Sequence, residues 1–262
     1  MLPKYKKAPV VEVVASVQFQ ELKELAAAHI AGVWDAFGGK KVYPTYKEQP
    51  PLNDIPDPQA TTGIMIEFSD KPQLARQWFM RENKAELIQV QRDRFIYNWQ
   101  KETVGNEYPH YEKVIGAFFN NLKCLRGFLS KEKLPSPQIV KCELAYINVI
   151  PLSEVEKASS VLRDFVWSKG DRYLSEPQKV NIRLQFEVEK NHALAYMTIA
   201  TAQKLSDGEM VLKMEMNVKG SPQSTDDQGL RDWFNASHEW IVRSFDDLIS
   251  DEMQKKWERY YE

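Results

Sequence analysis

Hydrophobic and polar residues follow two different periods along the first half of the chain. Alternation with a period of two predicts strands, and apolar residues spaced by three and four positions predict helices. The predicted strands occupy residues 10–19, 63–68, 85–91 and 94–99, with a further short strand at 77–81. The predicted helices occupy residues 22–37, which Gly38 and Gly39 end, and 109–129, where Pro109 suits the first turn.

The same order of patterns returns after a break at residues 135–137, which read Pro-Ser-Pro. A strand at 139–150 comes first, and a helix through Val161, Leu162, Phe165 and Val166 follows it. Three strands come next, at 179–189, 192–203 and 209–219, and their short polar connections indicate hairpins. A long helix that starts within 224–227 and carries apolar residues as far as Trp257 completes the pattern.

Each half of the chain therefore predicts a strand, a helix, antiparallel strands and a second helix. We predict an α+β fold with two related halves, an internal duplication that spans residues 1–134 and 138–262. The N-terminal half contains a predicted proline-rich surface loop at 43–58, because proline lacks the backbone N–H that regular elements require. The C-terminal half ends in the long helix. The pattern leaves open whether the two sheets join or pack separately.

Composition changes this picture little. Of the 262 residues, 43% are hydrophobic and 27% are charged, and the formal net charge is -2. No apolar stretch approaches the roughly 20 residues of a membrane span, and no basic-then-apolar leader follows Met1, so we expect a cytoplasmic protein without membrane contact. The two cysteines, Cys124 and Cys142, are too few for a disulfide scaffold, and their apolar surroundings predict buried thiols.

Motifs for the common catalytic chemistries are missing from the sequence. It contains no Gly-x-Ser-x-Gly elbow, no His-x-x-x-His or His-Glu-x-x-His pair and no glycine-rich phosphate loop after a strand. We therefore predict no catalytic residue, no metal site and no cofactor, which favours a protein that is not an enzyme without excluding one.

The central hairpin carries a candidate nucleic-acid site formed by Arg92, Arg94, Asn98 and Trp99. Strand alternation places Arg92, Arg94 and Asn98 on one face, which we expect to be polar and exposed. Basic groups could contact phosphates there, and an aromatic ring could stack on bases. The simpler interpretation is that the aromatic residues of 94–99 face the core and that the charges form an ordinary solvated surface.

A second candidate site is a pocket between the sheet and the helices. Tyr146 and Asn148 alternate on one predicted strand, and His238 and Glu239 lie on the closing helix. These four side chains could provide the polar contacts to a small ligand. Adjacent helical residues point about 100° apart, however, so His238 and Glu239 do not converge on one ion.

The chain resembles a sporadically distributed, largely uncharacterised family of bacterial conserved hypothetical proteins of about this length. The residues that carry the resemblance are 8–13, 89–99, 108–112 and 143–148, together with His238, Glu239 and Trp257 in the closing helix. The resemblance runs nearly from end to end and implies no established activity. The patchy distribution of the family is similar to that of mobile or defence-associated genes, including antiviral and toxin-antitoxin systems.

These observations lead to one functional hypothesis and two alternatives. The first is a non-enzymatic protein-interaction component of a bacterial defence or toxin-neutralising module, with another protein as its partner. One alternative is sheet-mediated nucleic-acid binding by the central hairpin. The other is a small-ligand sensor or an enzyme that uses the pocket between sheet and helices.

Overall fold

The computed structural model describes residues 1–52, 74–101, 107–155, 157–163, 173, 177–204 and 206–261. The strands are β1 (Pro3–Tyr5), β2 (Val10–Phe19), β3 (Thr45–Gln49), β4 (Arg76–Met80), β5 (Glu86–Gln91), β6 (Arg94–Gln100), β7 (Ile139–Pro151), β8 (Asn181–Val188), β9 (Ala193–Gln203), β10 (Met210–Gly220) and β11 (Arg259–Tyr261). The α-helices are α1 (Ile30–Ala36), α2 (Gly39–Val42), α3 (Tyr111–Lys131), α4 (Asp227–Leu248) and α5 (Asp251–Lys256). These elements confirm the predicted α+β class.

One antiparallel sheet of nine strands runs through both halves in the order β3-β4-β5-β6-β2-β7-β10-β9-β8. The first long strand of each half, β2 and β7, pair with each other at the centre, so the two predicted sheets join. The last long strand of each half lies next outward, as β6 beside β2 and β10 beside β7. The two halves therefore share a strand order, while their origin by duplication stays a prediction.

The core lies on one face of this sheet, under α3 and α4. Alternate residues of the central strands face the helices, as in the facing pairs Val13 with Tyr146 and Ala15 with Leu144. The two helices meet over them, where the rings of Phe118 and Phe234 lie 5.0 Å apart. Burying one such phenylalanine contributes roughly 2–3 kcal/mol.

The first predicted helix starts later than its periodicity indicates. Leu22 and Leu25 are buried, but they belong to irregular backbone that precedes a short 3-10 helix, Ala27–His29. The Leu22 amide donates to the Arg92 carbonyl, and Arg92 Nε donates to the Leu25 carbonyl. The backbone groups of Leu22 and Leu25 thus form their hydrogen bonds with Arg92 in the hairpin turn and not within a helix. The local sequence pattern carries no information about such a distant partner.

The predicted loop at 43–58 contains a strand, β3, which pairs with β4 at the sheet edge. The prolines at 44 and 50 flank this strand, and an edge strand needs backbone donors on one side only. The prediction of a loop is therefore wrong for residues 45–49, and residues 53–58 lie outside the described residues. The predicted strand at 63–68 also lies outside them.

The predicted closing helix is broken in two at Ile249, whose backbone is extended and forms a β-bridge with Leu162. Ser250 then caps α5 by accepting from the Met253 amide, and its hydroxyl donates to the Ser160 carbonyl. The predicted helix through Val161 and Leu162 is reduced to a short 3-10 helix, Ala158–Val161, and is wrong at Leu162, which bridges to Ile249. Phe165 and Val166 lie outside the described residues.

The pairing of β1 with β11 brings the first and last described segments together. Neither strand follows from the sequence pattern, since each is only three residues long. The Tyr5 hydroxyl donates to Asp246 Oδ1 on α4 at 2.6 Å, and its ring packs edge-on against Phe245 and Trp257. This small sheet holds the segment of residues 2–10 against α4.

We expect Gly38→Ala to lower the free energy of unfolding by about 1–2 kcal/mol. Gly38 has φ +101°, and a Cβ there would collide with Val42 Cγ2. The matched control is Gly127→Ala on the exposed side of α3, where a Cβ meets open space, and it should raise stability by about 1 kcal/mol. Urea denaturation of both variants measures the difference, and equal effects would contradict this account of Gly38.

Candidate ligand-binding cleft

A cleft opens between the sheet, the start of α3, the middle of α4 and residues 2–10. Its empty space, including the open mouth, amounts to about 670 Å³. The apolar part of the wall includes Leu2, Pro9, Val10, Met216, Ile241 and Phe245. The polar part comprises Lys4, Tyr108, His110, Tyr111, Glu112, Tyr146, Asn148 and His238. Apolar walls with a few converging polar groups are typical of small-molecule sites.

Two hydrogen bonds join three side chains along one side of this cleft. The hydroxyls of Tyr108 and Tyr146 lie 2.9 Å apart, and the Tyr146 hydroxyl lies 3.0 Å from His238 Nδ1. Strand β7 positions Tyr146, α4 positions His238, and the residues before α3 position Tyr108. The chain of bonds thus connects elements from both halves of the protein.

Tyr111, in the first turn of α3, stacks on His238 with ring centroids 3.9 Å apart and planes 4° apart. Its hydroxyl donates to Asn235 Oδ1 at 2.9 Å, one turn of α4 away. Burial lowers the pKa of His238 to about 4, so the imidazole is neutral near pH 7. Burial also raises the pKa of Tyr108, Tyr111 and Tyr146 above the usual tyrosine value.

Asn148 is 2% exposed and lies on the floor of the cleft. Its neighbours on the adjacent strands are Val10 and Met214, which offer no side-chain hydrogen bond. The Asn148 Oδ1 atom has no hydrogen-bond partner among the described residues. Leaving such an oxygen buried and unpaired costs roughly 1–3 kcal/mol, so this position needs an explanation.

The structure thus brings Tyr146, Asn148 and His238 together, as the pocket hypothesis required, but it separates Glu239 from them. Glu239 accepts from Lys190 Nζ at 2.7 Å and from Arg243 Nε at 3.1 Å on the outside of α4. The hydrogen bond from Lys190 is the main cause that lowers the pKa of Glu239. The prediction that Glu239 lines the pocket is wrong because it lies about 100° around the helix from His238.

Sequence reasoning missed Tyr108 and Tyr111 as cleft residues. Both lie in the Tyr-Pro-His-Tyr run at 108–111, which carried part of the family resemblance. Three aromatic or imidazole groups around one proline were the available signal. No pattern indicated that residues 2–10 would form another wall, because that placement depends on the pairing of β1 with β11.

The central hairpin differs from its predicted form, because its polar face is covered. Arg94 is 7% exposed and Asn98 is 5% exposed, so the expected exposed face is wrong. Asn98 Nδ2 donates to Glu12 Oε1 at 2.7 Å. Trp99 lies on the opposite face, buried against Tyr108, which agrees with the interpretation of its strand's aromatics as core residues.

Arg92 is also held within the fold, since its Nε donates to the Leu25 carbonyl at 3.0 Å and its guanidinium lies near Glu21. Arg92, Arg94, Asn98 and Trp99 therefore do not share one exposed surface. Nucleic-acid binding through them stays a prediction, and their burial offers it no support.

The described residues provide little support for a nucleophilic or a metal site. Cys142 is buried as predicted, and burial raises the pKa of its thiol to about 12. Cys124 is exposed on α3, so its predicted burial is wrong. Within the described ranges, no three His, Cys, Asp or Glu side chains are grouped as metal ligands.

None of the described helices is long and apolar enough to cross a membrane.

Replacing His238 by glutamine should reduce the decrease in the free energy of unfolding between pH 6.5 and pH 4. Because the folded-state pKa is about 4 and the unfolded value is about 6.5, stability is complete above pH 6.5 and falls as the pH drops toward 4. We expect this contribution, on the order of 2–3 kcal/mol, to be absent from His238→Gln. Denaturation at a series of pH values measures it. The control His192→Gln, at an exposed position outside the cleft, should keep the wild-type slope.

No protein-family model matches this chain, and no curated protein matches it. The resemblance to the bacterial conserved hypothetical family therefore stays a prediction. The cleft geometry is the basis on which a function can be proposed.

Proposed function

We propose that the protein binds a small, uncharged and largely apolar molecule in the cleft, through a hydrogen bond to Asn148. The observation that carries this proposal is the buried Asn148 Oδ1 atom without a partner among the described residues. A ligand N–H or O–H group would satisfy this oxygen and remove its cost. The apolar walls would cover the rest of the molecule.

The protonation states of the lining support an uncharged ligand. The imidazole of His238 is neutral above its pKa of about 4, and the neighbouring tyrosines keep their protons. The charged residues Lys4 and Glu112 also line the cleft, but their charges are opposite. A buried ion would thus find no net countercharge next to Asn148, and burying an unpaired charge is costly.

The aromatic rings support a ligand with a flat ring. Tyr111 already stacks on His238, and Tyr108 lies 6.1 Å from Tyr146, ring centroid to ring centroid. Offset and edge-on contacts with further rings are favourable by about 0.5–1.5 kcal/mol beyond the area they bury. Binding, and not catalysis, is the proposed role, because the described lining of the cleft contains no serine, threonine or cysteine, and the pKa of about 4 leaves His238 without a proton to donate at neutral pH.

The alternative roles rest on less. The placement in a bacterial defence or toxin-neutralising module depends on the family resemblance, and protein recognition itself depends on the missing catalytic motifs and the proline-rich segment at 43–58. A sensor that reports on such a ligand to another protein would combine both roles.

Replacing Asn148 by leucine should stabilise the fold and at the same time remove the hydrogen bond to the ligand. The substitution deletes a buried unpaired oxygen, and the adjoining cleft leaves room for the larger side chain, so we expect a gain of about 1–2 kcal/mol. The matched control is Asn98→Leu. Asn98 is similarly buried, but it accepts from Gln89 and donates to Glu12, so the same change should cost about 2–3 kcal/mol. Thermal and urea denaturation give both values.

Indole and its hydrocarbon analogue indene provide the binding test. Both are flat, apolar bicyclic molecules of the same size, but only indole carries an N–H that can donate to Asn148 Oδ1. We expect the wild-type protein to prefer indole about tenfold by calorimetric titration, as one hydrogen bond to a buried group provides.

In Asn148→Leu the two probes should bind equally. Absence of binding of either probe to the wild-type protein would refute the apolar cleft as a ligand site. A preference for indole that survives the substitution would refute the role of Asn148.

A further inference from the structure

Strand β8 (Asn181–Val188) lies at one edge of the sheet and pairs only with β9 among the described residues. Its residues from 183 to 187 are exposed on both faces, including Leu184 at 43% and Phe186 at 39%. An edge strand with exposed apolar side chains is a template for a further strand. Natural proteins normally protect such an edge, so its exposure indicates a partner.

Among the described residues, the backbone groups of β8 that do not bond to β9 lie at alternate positions. The Thr201 amide donates to the Val180 carbonyl at 2.9 Å, which sets the phase of the β8–β9 pairing. Even-numbered residues of β8 therefore bond to β9, and odd-numbered residues direct their N–H and C=O groups outward. Arg183, Gln185 and Glu187 thus offer their backbone groups to the free edge.

The sequence of β8 is complementary to itself when the strand pairs antiparallel with Gln185 opposite Gln185. Arg183 then lies opposite Glu187 twice, and Leu184 lies opposite Phe186 twice. Opposite charges and apolar pairs across antiparallel strands are stabilising. A shift of the register by two residues, which places Arg183 opposite Gln185, loses both ion pairs.

The side chains that this pairing requires are available. Arg183 and Glu187 are exposed, and neither forms an ion pair with another described residue. On the helix face, the Phe186 ring lies 5.7 Å from the ring of Trp240 of α4. Pairing would extend this contact into an apolar strip that both copies share.

We propose that a second copy of this chain is the partner of β8, and that two copies join edge to edge about a twofold axis at Gln185. The two nine-stranded sheets become one continuous sheet, with the helices of both copies on the same side. An interface in which one patch contacts itself is the usual arrangement in a homodimer. This inference does not depend on the proposed ligand.

Charge reversal tests the register. Arg183→Glu places two carboxylates opposite each other at two symmetry-related positions, and Glu187→Arg does the same with two cations. We expect each single variant to weaken dimerisation by about tenfold or more, as measured by analytical ultracentrifugation. The double variant Arg183→Glu with Glu187→Arg restores the pairs and should dimerise like the wild type.

Mixing the two single variants provides the sharpest result. One copy carries carboxylates at both positions and the other carries cations at both, so the mixture should form a heterodimer although each variant alone is weakened. The control is Lys47→Glu on β3, the opposite edge strand, where an exposed charge is reversed without touching β8. It should leave dimerisation unchanged.

Gln185→Pro tests the backbone pairing independently of charge. It removes an N–H that faces outward, so the β8–β9 bonds remain, while the central hydrogen bonds of the dimer are lost. We expect a folded monomer. A wild-type protein that is monomeric at high concentration would overturn the proposal. A dimer that neither the charge reversals nor Gln185→Pro weakens would also overturn it, because it would use another surface.

Discussion

The antiparallel pairing of β2 with β7 is the interaction on which the rest of the structure depends. Ten residues of β2 lie along the thirteen of β7, and this join turns two sets of hairpins into one sheet. Because the register places Val13 beside Tyr146 and Ala15 beside Leu144, the apolar faces of both halves coincide. One core then forms under α3 and α4. Because β2 and β7 come from different halves, the register of the whole sheet depends on both halves.

The cleft lies where this core ends. At the Asn148 end of β7, the cleft is bounded by residues 2–10, the start of α3 and the middle of α4, and polar groups such as Tyr108, Tyr146 and His238 join the apolar side chains of its wall. An asparagine between Val10 and Met214 weakens the fold, because neither neighbour can pair with its side chain. A position that is costly to folding and open to a cavity is where binding commonly resides. The contrast with Asn98, whose side chain is fully used, shows that the fold can satisfy such a residue.

The two edges of the sheet differ in how readily they can pair with a further strand. At one edge, β3 is bordered by prolines at 44 and 50, which discourage further pairing. At the other edge, β8 combines exposed apolar side chains with a charge pattern that matches its own reverse. The pairing of β2 with β7 and the proposed pairing of β8 with its copy therefore depend on the same interaction. In both, antiparallel strands place complementary side chains opposite each other.

Local periodicity by itself determined the α+β class, most long strands and the core face of the hairpin aromatics. It succeeded because the alternation in β7 or β9 reports directly which residues share a face. Only the tertiary structure decided what covers each face, and so Arg94 and Asn98 were predicted to be exposed although they are buried. The same limit explains the break at Ile249 and the meeting of Tyr108 with His238 through Tyr146. These features depend on bonds between segments that are distant in the chain, and a periodic pattern carries no information about such partners.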